Sequence, residues 1–187
     1  MRFDEIKIYH VRMPLIEPWI TSYGSDYEIH SILINVKSDN YSAWSETCAL
    51  ELPTYSYESA NSIFFNISEI FGPSLIKKNF ETPYEVINEL SLFKGNPFAK
   101  AGLDIAWWNL KSEITNTPLH ILLGGSRDLV VAGADFGVQK DIDTLLEKIN
   151  LAVENKAPRI KLKVKKGWDF DVIDAVVDAR KKGTDIV

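Results

Sequence analysis

The sequence is poor in the residues that build metal clusters and cross-links. Its 187 residues include one cysteine, Cys48, and three histidines. A single thiol excludes an internal disulfide, which fits a reducing cytoplasm. It also leaves too few nitrogen and sulfur ligands for a zinc cluster. Basic residues are not in excess: 21 Lys and Arg against 26 Asp and Glu give a net charge of −5, the wrong sign for a general nucleic-acid binder. No apolar run approaches the roughly 18 residues of a membrane span. Met1-Arg2-Phe3-Asp4-Glu5 lacks the basic and then apolar pattern of a signal peptide. There is no Walker loop, no G-x-G-x-x-G after a strand and no G-x-S-x-G elbow.

What is present is ordinary for a globular protein. The chain is 45% apolar and 25% charged, with five Trp, seven Tyr and nine Phe to fill a core. Its length suits one good-sized domain or two small ones.

The pattern along the chain changes character once. Phe3 to Arg12, His30 to Lys37 and Tyr41 to Cys48 read as strands of an antiparallel meander, with a turn at Ser38-Asp39-Asn40. Met13 to Glu28 holds two prolines, a glycine and several hydroxyl residues, and reads as a long loop. Helical spacing then predicts Ser56 to Phe71, and Thr82-Pro83-Tyr84-Glu85 reads as a capping box opening a helix to about Phe93. The longest helix is expected from Pro97 to Thr115, with Ala101, Ile105, Trp108, Leu110 and Ile114 among its apolar positions, followed by a short one at Pro118 to Leu123. From Asp128 the order becomes strand (Leu129 to Val138), helix (to about Lys156), strand (Arg159 to Lys165), helix (Asp169 to Lys182) and the start of a strand at Asp185. This is the signature of parallel βαβ units. A domain boundary is therefore expected near Ser126, and the α/β segment reads as incomplete, with an open growing edge.

The strand Arg159-Ile160-Lys161-Leu162-Lys163-Val164-Lys165 carries the strongest chemical signal. Side chains alternate along a strand, so Ile160, Leu162 and Val164 share one face and Lys161, Lys163 and Lys165 the other. In a βα barrel the apolar face packs on the outer helices and the lysines point inward, with Lys161 and Lys163 about 6–7 Å apart. Mutual repulsion and partial burial would both lower a lysine pKa and make a general base. The same pattern also describes a solvated face of an edge strand. Lys165 and Lys166 belong to the strand end and turn. In the long loop, Trp19, Thr21, Ser22 and Tyr23 are candidates to line a pocket or simply to anchor the loop, and Tyr55 has the same ambiguity. Glu46 and Glu51 have no partner visible in the sequence, the three histidines are scattered, and Asp104 and Trp107-Trp108 read as structural.

Several segments, in order, resemble the enolase superfamily in the branch of o-succinylbenzoate synthase and N-acylamino acid racemase. Trp19-Ile20-Thr21-Ser22-Tyr23-Gly24 is similar to that branch's specificity loop. Ser45-Glu46 through Leu52-Pro53-Thr54-Tyr55 and Glu58 is similar to its second capping-domain loop. Phe93-Lys94-Gly95-Asn96-Pro97-Phe98-Ala99-Lys100-Ala101 resembles the approach to its long helix, and Leu123-Gly124-Gly125 with Gly133 to Gln139 resembles its crossover. Arg159-Ile160-Lys161-Leu162-Lys163, with Gly167-Trp168-Asp169, resembles its K-x-K strand and turn.

The resemblance implies an α+β capping domain over residues 1–125, followed by the first βα units of an enolase-type modified TIM barrel over residues 126–187. It implies Lys163 as the acid/base lysine that takes the proton beside a substrate carboxylate, and Lys161 as its partner in stabilising the enolate. Trp19, Tyr23, Leu50 and Tyr55 fall on pocket-lining positions. Asp135 stands where the branch usually has a small hydroxyl residue, and its charge would repel an anionic substrate unless protonated or paired. Ser45 replaces a usual glycine and Asp104 a usual glutamate. The implied activity is Mg²⁺-dependent dehydration to o-succinylbenzoate in menaquinone biosynthesis. N-acylamino acid racemisation and dipeptide epimerisation are the alternatives within the superfamily, and an inactive fragment is the alternative outside catalysis. The implied Mg²⁺ ligands lie on strands that follow Val187, so no metal ligand is assigned here. The partners implied are a small-molecule carboxylate and no nucleic acid or membrane, with room for a homo-oligomer, in the cytoplasm.

Overall fold

A computed structural model describes residues 1–21, 24–180 and 185–186. The chain forms two compact units, one of Met1–Pro14 with Glu28–Ser126 and one of Leu15–Tyr27 with Arg127–Val187. Among the described residues no helix is long and apolar enough to cross a membrane.

Three strands form a sheet in the order β1 (Glu5–Thr21), β2 (Gly24–Ser38) and β3 (Tyr41–Cys48), and the first unit is built on β1 as far as Pro14, β2 from Glu28 onward, and β3. The stretch expected to be a loop from Met13 to Glu28 is therefore mostly strand. Pro14 and Pro18 misled the sequence reading. Both lie in β1, an edge strand, where a missing N–H need not break a ladder. β2 and β3 pair antiparallel from Ser31↔Cys48 to Ser38↔Tyr41. Between them Asp39 takes a left-handed φ of 51°, a conformation Asp tolerates. The Asp4 carboxylate accepts the Asp39 N–H at 2.9 Å.

The inward side chains of β3 are Ala43, Ser45 and Thr47, and α4 (Pro97–Thr115) packs against them. The approach is close because Gly102 has no side chain. A Cβ there would lie 2.7 Å from Ile34 Cδ1 and 2.9 Å from Thr47 Cγ2. The buried Ser45 and Thr47 hydroxyls donate to the carbonyls of Gly102 and Phe98 at 2.7 and 2.8 Å. The buried face of α4 is Ala99, Gly102, Leu103, Ala106, Trp107 and Leu110, whereas Ala101 and Ile105 face solvent. Of the expected apolar positions, Leu110 is buried and Trp108 and Ile114 pack against the core, whereas Gly102, without a side chain, does not register in a hydrophobic pattern.

The remaining helices complete the core with Ile63, Ile67, Phe71 and Leu90. The helix expected to end at Phe71 instead starts as α1 (Ala60–Phe65), runs through a π turn (Asn66–Phe71) and continues as α2 (Gly72–Leu75). Pro73 lacks an N–H for the ladder, and the wider turn before it accommodates that loss. α3 (Pro83–Leu90) opens after Thr82, but its capping box is altered. The Glu85 carboxylate reaches back to the N–H of Glu81 at 2.9 Å and accepts from the Thr82 hydroxyl at 3.3 Å. α5 (Leu119–Leu122) closes this unit's helices.

The second unit holds a parallel sheet, β4 (Ala134–Phe136), β5 (Arg159–Leu162) and β6 (Asp185–Ile186), connected by α6 (Ile142–Glu154) and α7 (Asp169–Arg180). Asp141 caps α6, its carboxylate accepting the Thr144 N–H at 2.7 Å. Leu145, Ile149, Ile160, Val172 and Val176 form the core. The strand expected over Leu129 to Val138 shrinks to three residues. Its pairing starts at Ala134↔Ile160, because Pro158 has no N–H for a ladder. Gly133 lies against the neighbouring backbone, where a Cβ would be 2.7 Å from the Arg159 carbonyl oxygen.

Candidate functional site

The lysines are positioned by the parallel pairing of β4 and β5. The register sets Ala134, Asp135 and Phe136 opposite Ile160, Lys161 and Leu162. Ala134, Phe136, Ile160 and Leu162 pack with the helices, so alternation turns Asp135 and Lys161 to the other face. Lys163 follows on that face. β5 ends at Leu162, but the Lys163 N–H still donates to the Phe136 carbonyl at 3.0 Å, which holds the lysine in line. Val164, expected to pack on the helices, lies past this last bond and is 50% exposed.

The Lys161 ammonium donates to the Asp135 carboxylate at 2.8 Å. This contact raises the Lys161 pKa above its ordinary value, with Asp135 as the dominant cause and Arg159 opposing it. Lysine spacing and burial alone predict a lowered value, and the carboxylate on the adjacent strand reverses the sign.

Within this second unit a cavity of about 660 Å³ is lined by Glu17, Trp19, Ile20, Asp135, Lys148 and Lys163, among others. Its size suits a small molecule. Lys140 also lines it, so three lysines face two carboxylates. Glu17 is bonded to Lys148 at 3.3 Å, and Asp135 to Lys161. The balance favours an anionic guest. Trp19 is 43% exposed and supplies an aromatic wall. Of the residues anticipated from sequence, the cavity thus gathers Lys163, Asp135 and Trp19. Leu50 and Tyr55 belong to the first unit, where Leu50 is half-buried and its carbonyl accepts the Ala60 N–H at 3.1 Å, and Tyr55 is exposed. Tyr23 and Ser22 lie outside the described residues.

The first unit contains a cluster the sequence did not reveal. The rings of His10 and His30 meet nitrogen to nitrogen at 3.0 Å, and the buried His30 also meets Glu28 at 3.0 Å. Arg12 donates to the same Glu28 oxygen, and this holds the Glu28 carboxyl below the usual Glu range. Glu51 joins Glu28 and His30 in a group of three whose potential ligand atoms all lie within 4.8 Å of one another, the one such group among the described residues. These residues are spread from position 10 to 51, so only strand pairing and the turn after Cys48 bring them together. Glu46, also without a visible partner in the sequence, accepts the Ser31 hydroxyl. The cluster does not fit Mg²⁺. That ion demands an octahedron of oxygens, and here a ring nitrogen and a guanidinium already occupy Glu28.

An antiparallel sheet covered by helices, followed by parallel βα units with Lys161 on β5 and Lys163 just past it, is the arrangement of a capping domain followed by α/β units. Residues 4–124 match the mandelate racemase / muconate lactonizing enzyme N-terminal domain family. The chain belongs to this family of the enolase superfamily, in the branch of o-succinylbenzoate synthase and N-acylamino acid racemase. It is 33% identical to o-succinylbenzoate synthase of Geobacillus kaustophilus, over 92% of this chain and 46% of that protein. It is 29% identical to N-succinylamino acid racemase of Thermus thermophilus, over 98% of this chain and 50% of that protein. The crystal structure of an enolase superfamily member from Listeria innocua superimposes with a TM-score of 0.91 at 26% identity, covering 100% of this chain and 50% of that one. The chain spans about half the length of the curated relatives it matches.

Proposed function

We propose that the chain, with residues 1–125 as cap and 126–187 as first barrel units, carries the proton-transfer lysines of an o-succinylbenzoate-synthase-like hydro-lyase. The observation that supports it most is Lys163 lining a cationic cavity beside an ion-paired Asp135–Lys161. In the reaction the neutral Lys163 amine takes the proton next to the substrate carboxylate. The electron pair of the broken C–H bond moves onto that carboxylate as an enolate, and the Lys161 ammonium stabilises the charge. The pair then returns to form the C=C bond, the C–O bond to the β-hydroxyl breaks, and Lys163 gives its proton to the departing water. The resemblance also implies Mg²⁺ at the enolate. The described residues around the cavity hold no matching oxygen set, so no step is routed through it. The substrate is a small carboxylate, and the setting is cytoplasmic.

The racemase reading rests on the comparable identity to N-succinylamino acid racemase. In that reaction the same first proton transfer is followed by reprotonation on the opposite face. Incubation in D₂O, with either the synthase substrate or N-succinyl amino acids, separates the two. α-Deuteration with loss of water marks the lyase, and α-deuteration with inversion marks the racemase. Lys163→Ala should abolish exchange in both, and retained exchange would overturn the role of Lys163.

A further inference from the structure

Asp135 departs from what a site for anions would be expected to carry, and the structure gives it a different task. It stands directly opposite Lys161 across the β4–β5 ladder, and one of its oxygens is engaged by the Lys161 ammonium at 2.8 Å. Lys163 is two residues further along, and both Asp135 and Lys163 line the cavity. We propose that Asp135 is a positioning residue and not a substrate ligand: its carboxylate pins the Lys161 ammonium to β4, beside Lys163 and the cavity that Lys163 lines.

The inference rests on the proton-transfer reading and deepens it by separating two lysines that the K-x-K pattern leaves equivalent. Lys161 is faced by Asp135 from β4 and by Arg159 and Lys163 from its own strand and the residue just past it. The carboxylate prevails over burial and the Arg159 charge, so Lys161 stays protonated, as a stabiliser of negative charge must. Its partner, two residues on, has no such carboxylate opposite in the register, which ends at Phe136↔Leu162. Pairing also removes the objection that Asp135 would repel a carboxylate, because its charge is already compensated.

The test uses the whole chain with its lysines reductively ¹³C-methylated, which keeps their charge. Resonances are assigned with Lys161→Arg and Lys163→Arg and followed by NMR through a pH titration and on addition of succinate. In Asp135→Asn the Lys161 resonance should titrate at lower pH than in the wild type, and by more than that of Lys163. Asp135→Ser provides the same test should the Asn variant fold poorly, and Asp135→Glu should restore the wild-type titration. Succinate, which carries no enolate charge, should move the Lys163 resonance more than that of Lys161. An unchanged Lys161 titration without Asp135, or a succinate response centred on Lys161, would overturn the proposal. Should succinate move neither lysine, the proton-transfer reading fails, while the Lys161 titration still decides whether Asp135 is its counter-ion.

Discussion

The buried carboxylate of Glu58 accepts the backbone N–H of Ala99 at 3.1 Å, and its second oxygen accepts that of Phe98 at 2.8 Å. Glu58 thereby caps α4 from outside the helix. The residue in the capping position, Asn96, has a left-handed φ of 56° and makes no side-chain cap bond. A negative charge is also favourable at a helix N-terminus.

Glu58→Ala should therefore destabilise the fold by roughly 2–3 kcal/mol, since it strands two buried donors. Glu58→Gln, which keeps one acceptor, should lose about half of that. Urea unfolding of the two variants measures the difference, and an Ala variant as stable as the wild type would contradict the capping role.

Gly102→Ala should destabilise although Ala is the better helix former. The propensity gain is about 1 kcal/mol, but the new Cβ would meet Ile34 and Thr47 at 2.7 and 2.9 Å. Overpacking of this kind costs about 1–3 kcal/mol. A lowered melting temperature with an unchanged circular dichroism spectrum is the expected result.

Asp104 has a buried oxygen without a partner, and burial pushes its carboxyl above the ordinary value of 3.8. For a raised carboxyl, the folded state holds its proton more tightly than the unfolded chain does. Stability should fall as pH rises from 3.8 through the raised folded value, and the penalty is complete above it. Asp104→Asn should flatten that fall and gain stability at neutral pH, as read from denaturation midpoints across the range.

Glu28 behaves in the opposite sense. The Arg12 hydrogen bond, with a further contribution from His30, lowers its carboxyl below the ordinary 4.5. Its contribution is present above 4.5 and is lost as pH falls through the lowered folded value. Arg12→Met should weaken this acid-side dependence. An acid limb identical to that of the wild type would show that Arg12 does not hold the Glu28 charge.

The amino-acid sequence by itself determined the parts that depend on local chemistry. Strand-like patterning places His30 to Lys37 of β2, β3 and the K-x-K strand, Pro97 opens α4, and the order of segments is enough to assign the family. The sequence was misread where a residue's meaning depends on its neighbours in space. Pro14 and Pro18 look like loop residues until β1 is seen to be an edge. Gly102 looks like a gap in a helical pattern until a strand is packed against it. His10, Arg12, Glu28, His30 and Glu51 form one group only through strand pairing and a turn. The lysines are the sharpest case. Their spacing put Lys161 and Lys163 on one face, but parallel register alone set a carboxylate 2.8 Å from Lys161. A charge on an adjacent strand, 26 positions away in the chain, outweighs the repulsion of Arg159, two positions away, because electrostatic attraction follows distance in space.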